Sequence, residues 1–302
     1  MSSTSHRDIY QQVTDQIIAA MEAGAGKWEM PWHRSGTANG RPINAHTGNA
    51  YRGVNIISLW AAAEARGFST STWGTYRQWL EMGAQVRKGE KSSLVVFYKQ
   101  FDASELAEGE EQGDTRRMFA RASFVFNADQ VDGFTPKVQA PAINSVEHVE
   151  RAERVATNSG AIIRHGGDRA FYRPSTDHVQ MPDKCQFVGT STSSSTASYY
   201  ATLLHELTHW SGASKRLDRT FGKRFGDDAY AMEELVAELS AAFLCSSLGI
   251  TPQARPDHAA YIDHWLRVMK GDKRAIFTAA SKASQAADYL AAFENADKSA
   301  AA

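Results

Sequence analysis

The chain lacks the features that mark secreted and membrane-embedded proteins. Its 302 residues include two cysteines, Cys185 and Cys245, which are too few for a disulfide framework and predict a reducing compartment. No run of about 20 apolar residues is present that could cross a bilayer. The first residues, MSSTSHRDIYQQV, do not join a basic segment to an apolar one, so no secretory signal is indicated. We therefore expect a cytoplasmic protein with no membrane partner and with both cysteines in its core.

The chain also lacks an excess of charge of one sign. Its formal net charge is -1 at pH 7, which argues against a uniformly basic coat for nucleic acid. The average conceals an asymmetry, because Lys and Arg outnumber Asp and Glu in residues 1–100, whereas the charged residues of 102–114 are all acidic. Five of the seven tryptophans also fall in the first hundred residues. The two halves of the chain therefore differ in chemistry.

Hydrophobic periodicity and turn residues predict an α+β protein of two domains. In the first domain, three helices precede a β-hairpin formed by residues 92–101 and 117–131, which are rich in β-branched and aromatic side chains. In the second, a helix and three short strands, AIIRHGG, RAFYRP and DHVQMP, precede four helices. A Pro-containing linker separates the two parts. The expected division is residues 1–135, a linker at 136–145, and residues 146–302.

The segment YYATLLHELTHWSG contains a His-Glu-x-x-His sequence formed by His205, Glu206 and His209. Residues four apart share one face of a helix, so both imidazoles project together and a zinc ion, or another divalent metal, fits between them. Glu206 follows the first histidine, where its carboxylate can reach metal-bound water and act as general base. The apolar neighbours Leu204 and Leu207 predict a largely buried helix, in which imidazoles need polar partners.

A third protein ligand is expected from the helix of residues 230–249. Glu234 and Glu238 are four apart on its half-buried face, where carboxylates are costly unless a cation compensates them. One of them can bind the metal while the other accepts a hydrogen bond from a ligand histidine. The residues alone leave the order of the two open. Glu233 is expected on the surface.

The N-terminal half interleaves aromatic and basic residues, as proteins that hold single-stranded nucleic acid do. Bases stack on aromatic faces while cations contact phosphates, so the pattern favours a single-stranded-DNA-binding domain over a peptide-binding or merely structural one. Trp60 and Trp79 lie on apolar helix faces and are expected in the core. The candidate DNA-binding residues are Trp32, Arg34, Arg41, Tyr51, Arg52, Trp73, Tyr76, Arg87, Lys88 and Lys91.

Several long motifs resemble those of the ArdC-type antirestriction proteins of conjugative plasmids. They are PWHR…PINAHTGNAYRGVNIISLW, WGTYRQWLEMGAQVRKGEK and YYATLLHELTHWSG…RLDR…YAMEELVAELSAAFL, and the resemblance covers nearly all of residues 7–250. It implies an N-terminal single-stranded-DNA-binding domain, a C-terminal zincin-like metallopeptidase domain, and protection of incoming plasmid DNA from host restriction. The N-terminal portion is also similar to that of plasmid DNA primases.

The C-terminal half resembles zincins of the glutamate class, or gluzincins. This resemblance implies Glu234 as the third metal ligand and Glu238 as the acid beside a ligand histidine. It also implies a small sheet whose edge strand pairs with an extended peptide, and DHVQMP is the strand expected at that edge.

Two functions remain open from the sequence. The first is a DNA-tethered zinc metallopeptidase that cuts a restriction protein or another host protein, and Glu206 favours it because a structural metal site has no need of a general base. The second is a DNA-binding protection protein whose metal is structural and not proteolytic. A nuclease is less favoured, because two histidines and one glutamate lack the carboxylate-rich arrangement of two-metal sites.

Overall fold

The computed structural model describes residues 8–25, 40–100, 118–134, 145–187, 194–219, 228–250 and 259–298. The helices of these residues are α1 (Ile9–Ala25), α2 (Val54–Arg66), α3 (Tyr76–Glu81), α4 (Ser145–Asn158), α5 (Ser195–Ser211), α6 (Asp228–Leu248), α7 (Ala259–Gly271) and α8 (Ala275–Ala292). Their strands are β1 (Ile43–Asn44), β2 (Thr72–Gly74), β3 (Gln85–Val86), β4 (Ser93–Gln100), β5 (Met118–Asn127), β6 (Val131–Asp132), β7 (Ile162–His165), β8 (Phe171–Arg173) and β9 (His178–Met181). The predicted α+β class is confirmed. None of the described helices is long and apolar enough to cross a membrane.

The N-terminal half is built around a four-stranded sheet of order β1-β2-β5-β4. β4 and β5 pair antiparallel from Ser93 opposite Val125 to Gln100 opposite Met118, which confirms the predicted hairpin. β3 and β6 form a separate antiparallel pair. The acidic residues 102–114 between β4 and β5 lie outside the described residues.

Side-chain hydrogen bonds tie α2 to this sheet and cap α3. The buried Asn55 of α2 donates to the backbone oxygen of Val96 at 2.8 Å and accepts from its backbone N–H at 2.7 Å, so α2 is tied to β4. Thr75 caps α3, because its hydroxyl accepts from the backbone N–H of Gln78 while the Gln78 side chain accepts from the Thr75 N–H. Trp60 of α2 and Trp79 of α3 are buried, as the sequence predicts.

The C-terminal half contains a three-stranded sheet of order β7-β9-β8, covered by helices. β9 pairs in parallel with β7 and antiparallel with β8, so the expectation that DHVQMP forms an edge strand is wrong. Val179 and Met181 of β9 are fully buried, and this burial accounts for a central position. Among the described strands of this sheet, the edges are β7 and β8.

One continuous hydrophobic core joins the two halves of the chain. Trp60 of α2 packs against Phe243 of α6 with ring centroids 5.8 Å apart. The Thr14 hydroxyl of α1 donates to the backbone oxygen of Lys273, just before α8, at 2.8 Å. The expected boundary at residues 136–145 stays a prediction, because nearly all of that segment lies outside the described residues.

The two cysteines occupy different environments. Cys245 lies in α6 and is buried, as expected. Cys185 is exposed, so its expected core position is wrong. Its place in a single 3-10 turn after β9, Lys184–Gln186, explains this exposure, because the turn contains no buried residue.

Candidate functional site

The two motif histidines project from the buried helix α5. The hydroxyl of Ser194 caps this helix by accepting from the backbone N–H of Ala197 at 3.1 Å. The four-residue spacing brings the His205 and His209 rings together, with centroids 4.9 Å apart. Glu206 lies on the same helix and is buried. A helix that is apolar around most of its circumference thus holds three polar side chains at one place.

Helix α6 packs on α5 and brings Glu234 to the two histidines. Glu234 Oε2 lies 3.5 Å from His205 Nε2, and its Oε1 lies 3.6 Å from His209 Nε2. The two Nε2 atoms are 3.2 Å apart. These three side chains are the group within the described residues whose ligand atoms could hold a metal together.

The separations of these donor atoms fit a zinc ion. Metal bonds of about 2.0–2.1 Å at tetrahedral angles place neighbouring ligand atoms about 3.4 Å apart. The two Nε2 atoms are 3.2 Å apart, and they lie 3.5 and 3.6 Å from the two different oxygens of the Glu234 carboxylate. Two imidazole nitrogens and a carboxylate are also a donor set that zinc accepts.

Glu233 was expected on the surface, and the structure shows that this is wrong. It is 6% exposed, and its Oε1 lies 3.3 Å from Nδ1 of His209. Arg219 holds the other side of the carboxylate, with Nη2 2.8 Å from Oε1 and Nε 3.0 Å from Oε2. Arg219 itself donates to the Ser211 hydroxyl at 3.0 Å and to the backbone oxygen of Thr208 at 2.5 Å, both on α5. Glu233 and Arg219 therefore fix the His209 ring at Nδ1, whereas Nε2 of the same ring faces Glu234.

Glu238 occupies the corresponding position beside the other histidine. Its Oε2 lies 3.7 Å from Nδ1 of His205, which is an electrostatic contact longer than a hydrogen bond. Each histidine thus faces Glu234 through Nε2 and a second acid through Nδ1. A carboxylate at the distal nitrogen is the usual partner of a metal-binding histidine, because it fixes the ring orientation and tautomer.

The acids set the charge of this centre. Burial disfavours a charged imidazole, but the carboxylates of Glu234 and Glu233 outweigh it and raise the pKa of His209 to about 10. Burial also opposes ionisation of Glu234, yet His209 and His205 hold the pKa of its carboxyl well below the usual range. The same field that stabilises a proton between these groups stabilises a metal cation.

The candidate DNA-binding residues fall into groups. Trp32 and Arg34 lie outside the described residues. Trp73 is 1% exposed and packs edge-on against Phe68, with ring centroids 5.8 Å apart. Its ring is therefore part of the core and is not open to a stacked base.

Three candidates lie together before α2. Arg41 Nε donates to the backbone oxygen of Tyr51 at 3.2 Å. The Tyr51 side chain is buried, and its hydroxyl accepts from Nδ2 of Asn44 at 3.3 Å. Arg52 is exposed and forms an ion pair with Asp288 of α8. The two guanidinium groups are thus held at the junction between the halves of the chain.

The other candidates are exposed between the start of α3 and β4. Within this group, Arg87 forms ion pairs with Glu90 at 3.1 Å and with Asp132 at 3.4 Å, so neighbouring acids offset its charge. The group consists of Tyr76, Arg87, Lys88 and Lys91. The structure leaves these four side chains accessible to a ligand.

Comparison with known proteins places this geometry in a family. The N-terminal domain of anti-restriction factor ArdC matches residues 7–126, and a zincin-like metallopeptidase family matches residues 150–282. The crystal structure of the Mn(II)-bound antirestriction ArdC protein from the R388 plasmid is 39% identical in sequence, with a TM-score of 0.73, over 95% of this chain and 98% of that one. The chain belongs to the ArdC antirestriction family. The predicted two-domain architecture is confirmed by these matches.

Two other similar proteins differ in how much of their own length the match covers. Uncharacterized protein y4eC of Sinorhizobium fredii is 53% identical over 287 residues, which are 94% of this chain and 91% of that protein. DNA primase TraC of Escherichia coli is 38% identical over 95% of this chain, but the match spans 27% of the primase. ArdC-like sequence thus also occurs as one part of a larger protein.

Sequence reasoning missed Glu233 and Arg219. Glu233 stands next to Glu234 in the sequence, and adjacent residues on a helix usually point about 100° apart, so one was assigned to the surface. Arg219 comes from the loop after α5, in the segment RLDR. No fixed spacing links an arginine in a loop to an acid fourteen residues later, and only the packing of α6 on α5 shows the contact.

Proposed function

We propose that this ArdC-family protein binds single-stranded DNA and hydrolyses a peptide bond in a restriction protein or another host protein, and that it thereby protects incoming plasmid DNA during conjugation. The observation that carries the proposal is the donor triangle of His205, His209 and Glu234 with Glu206 beside it on α5. Peptide hydrolysis needs a carboxylate next to the metal as general base, whereas a purely structural metal site does not need one.

The metal we propose at these three side chains is zinc, in keeping with their donor set and spacing. The R388 relative has been crystallised with Mn(II), so divalent metals other than zinc are also candidates. When bound, such a cation supplies a Lewis acid that polarises a carbonyl oxygen and lowers the pKa of water.

The acidic residues around the site have different roles in the proposed reaction. Glu206 accepts the proton of the attacking water and returns it to the amine that leaves. Glu206 is buried on α5, next in sequence to His205. Glu233, held by Arg219, fixes the ring of His209, and Glu238 faces the distal nitrogen of His205 through a longer electrostatic contact.

A second candidate function keeps the DNA binding but makes the metal structural. The burial of the ligands favours it, because the side chains of His205 and Glu234 are 4% and 12% exposed. A site closed on all sides would hold a metal without admitting a substrate. Under this alternative, Glu206 is a packing residue.

Transfer of unmodified plasmid DNA into a restricting host separates the two candidates. The isosteric variant Glu206→Gln should keep its metal and its affinity for single-stranded DNA but lose protection, because it can no longer accept a proton. Metal content and DNA affinity are measured on the same purified protein. Full protection by Glu206→Gln would favour the structural role of the metal and overturn the proposed hydrolysis.

A further inference from the structure

A cleft of about 660 Å³ opens between the N-terminal half and helix α8. Its volume lies within the range of sites that bind small molecules or single nucleotides. One wall comes from residues 44–55 and from Phe97 on β4, and the other comes from α8. The backbone N–H of Gly53 donates to the hydroxyl of Ser284 at 3.0 Å and joins the two walls at one point. The cleft thus lies between two parts of the described fold that are hydrogen-bonded to each other, and the candidate metal ligands do not line it.

The lining combines amide side chains with aromatic rings. Asn49 and Gln285 are exposed on opposite walls, and each offers both a donor and an acceptor. Gln78 also lines the cleft, and its side-chain oxygen accepts a hydrogen bond from Nδ2 of Asn44 at 3.1 Å. Amides of this kind pair with base edges without demanding one base, because their two ends complement either a donor or an acceptor.

The charge at the cleft is positive. Of the described residues that line it, Arg52 is the one with an ionic side chain. Arg52 pairs with Asp288, and Arg41 lies behind it through its hydrogen bond to Tyr51. Arg52 thus offers a guanidinium group to an anionic backbone at the cleft, and Arg41 supplies a second positive charge near the Arg52 and Asp288 pair.

Phe97 gives the cleft an open aromatic face. It is 49% exposed on β4, although its neighbours Val95 and Val96 are buried. Phe124 on the paired strand β5 is similarly exposed, at 55%, but does not line the cleft. An exposed ring beside amides and a cation is the combination that holds an unstacked base.

We propose that this cleft receives an unpaired base of single-stranded DNA, which stacks on Phe97 while Asn49 and Gln285 contact its edge and Arg52 contacts a neighbouring phosphate. The inference rests on the proposed DNA binding and adds its location, shared between the N-terminal half and α8. A base within a duplex is already stacked on both faces, so the cleft selects single strands. Sequence reasoning found Arg52 but not Phe97, which reads as an ordinary strand residue.

The test uses the full chain, a fluorescently labelled oligonucleotide and anisotropy at fixed salt. Phe97→Ala should weaken binding by roughly 5- to 150-fold, the range expected for the loss of one stacked base. Phe124→Ala is the matched control, since it removes an equally exposed ring outside the cleft, and it should bind as the wild type does. Arg52→Ala should instead reduce the slope of log affinity against log salt by about 0.7.

Ser281→Trp provides a second variant that does not depend on removing a side chain. Ser281 is exposed on the α8 wall, so the indole should fill the cleft without entering the core and should also weaken binding. If the wild type binds no single-stranded DNA, the proposed function itself fails. If the wild type binds but Phe97→Ala and Ser281→Trp bind equally well, DNA binding stands and its assignment to the cleft is overturned.

Discussion

At the scale of single residues, Arg219 connects the two helices that carry the candidate metal ligands, although it contributes no ligand atom itself. It makes a two-point contact with Glu233 and two further hydrogen bonds to α5, so it joins both helices of the site. Glu233 in turn contacts His209 at its distal nitrogen. Partners of this kind set the orientation and basicity of a metal-binding histidine.

We expect Arg219→Ala to weaken metal binding by about 10- to 100-fold, the range for losing the partner of a ligand histidine. Competition with a chelator measures the affinity. Arg151→Ala is the matched control, because Arg151 makes a comparable two-point contact with Glu294 far from the site in the fold. Equal metal affinity in both variants would show that Arg219 supports only the fold.

The distances from Glu234 and Glu238 to the histidines predict which of the two acids contributes more to metal affinity. Glu234→Gln should lose more metal affinity than Glu238→Gln, because Glu234 lies 3.5 and 3.6 Å from the two Nε2 atoms whereas Glu238 lies 3.7 Å from one Nδ1. Elemental analysis after dialysis against a chelator ranks them. The opposite order would mean that Glu238 is the ligand.

A pH-dependent contribution to stability comes from Asp177. Hydrogen bonds from Arg216 and Lys215 hold the pKa of its carboxyl well below the unfolded value of about 3.9. A depressed folded pKa gives stability that is present above about pH 4 and is lost as the pH falls further. Asp177 has a φ of 47°, a conformation that asparagine also tolerates, so Asp177→Asn isolates the charge.

Asp177→Asn should therefore lower the free energy of unfolding at pH 7 by about 1–2 kcal/mol, a value reduced for its partial exposure. The difference from the wild type should shrink between pH 4 and pH 2. Urea unfolding at several pH values measures both. A difference that is constant over this range would contradict the ionic origin.

At the scale of elements, local patterns predicted the helices and strands, but not their neighbours. The four-residue spacing of His205 and His209 places two candidate metal ligands on one face of a single helix, so this pair could be predicted directly from the sequence. The central position of β9 could not, because strand order depends on which edges the rest of the chain covers. For the same reason, the contact between Glu233 and Arg219 could not be predicted from the sequence, because it forms only where α6 packs on α5.

The burial of aromatic side chains was predicted correctly for some residues and not for others. Trp60 and Trp79 sit on apolar helix faces and were correctly expected in the core. Trp73 and Tyr51 carry no such helical pattern, and composition alone grouped them with exposed aromatic residues although both are buried. Phe97 shows the converse, because alternation along a strand did not reveal that its ring opens into a cleft.

At the scale of the whole molecule, the two halves share one core, and this predicts cooperative unfolding. Trp60 of α2 packs on Phe243 of α6, and Thr14 of α1 is hydrogen-bonded to Lys273, just before α8. Separating the halves would expose these apolar surfaces to water. Denaturation followed by tryptophan fluorescence and by far-ultraviolet circular dichroism should therefore give coincident transitions. Two separated transitions would show that the halves fold independently.

We propose that this ArdC-family protein cuts a peptide bond with Glu206 as the base. The most direct measurement compares newly formed protein N-termini in host cells that express the wild type or Glu206→Gln during plasmid entry. Both proteins are checked for equal abundance, metal content and affinity for single-stranded DNA. We expect one or a few N-termini that appear with the wild type and are absent with Glu206→Gln. Identical sets of N-termini from cells in which only the wild type protects the plasmid would contradict it.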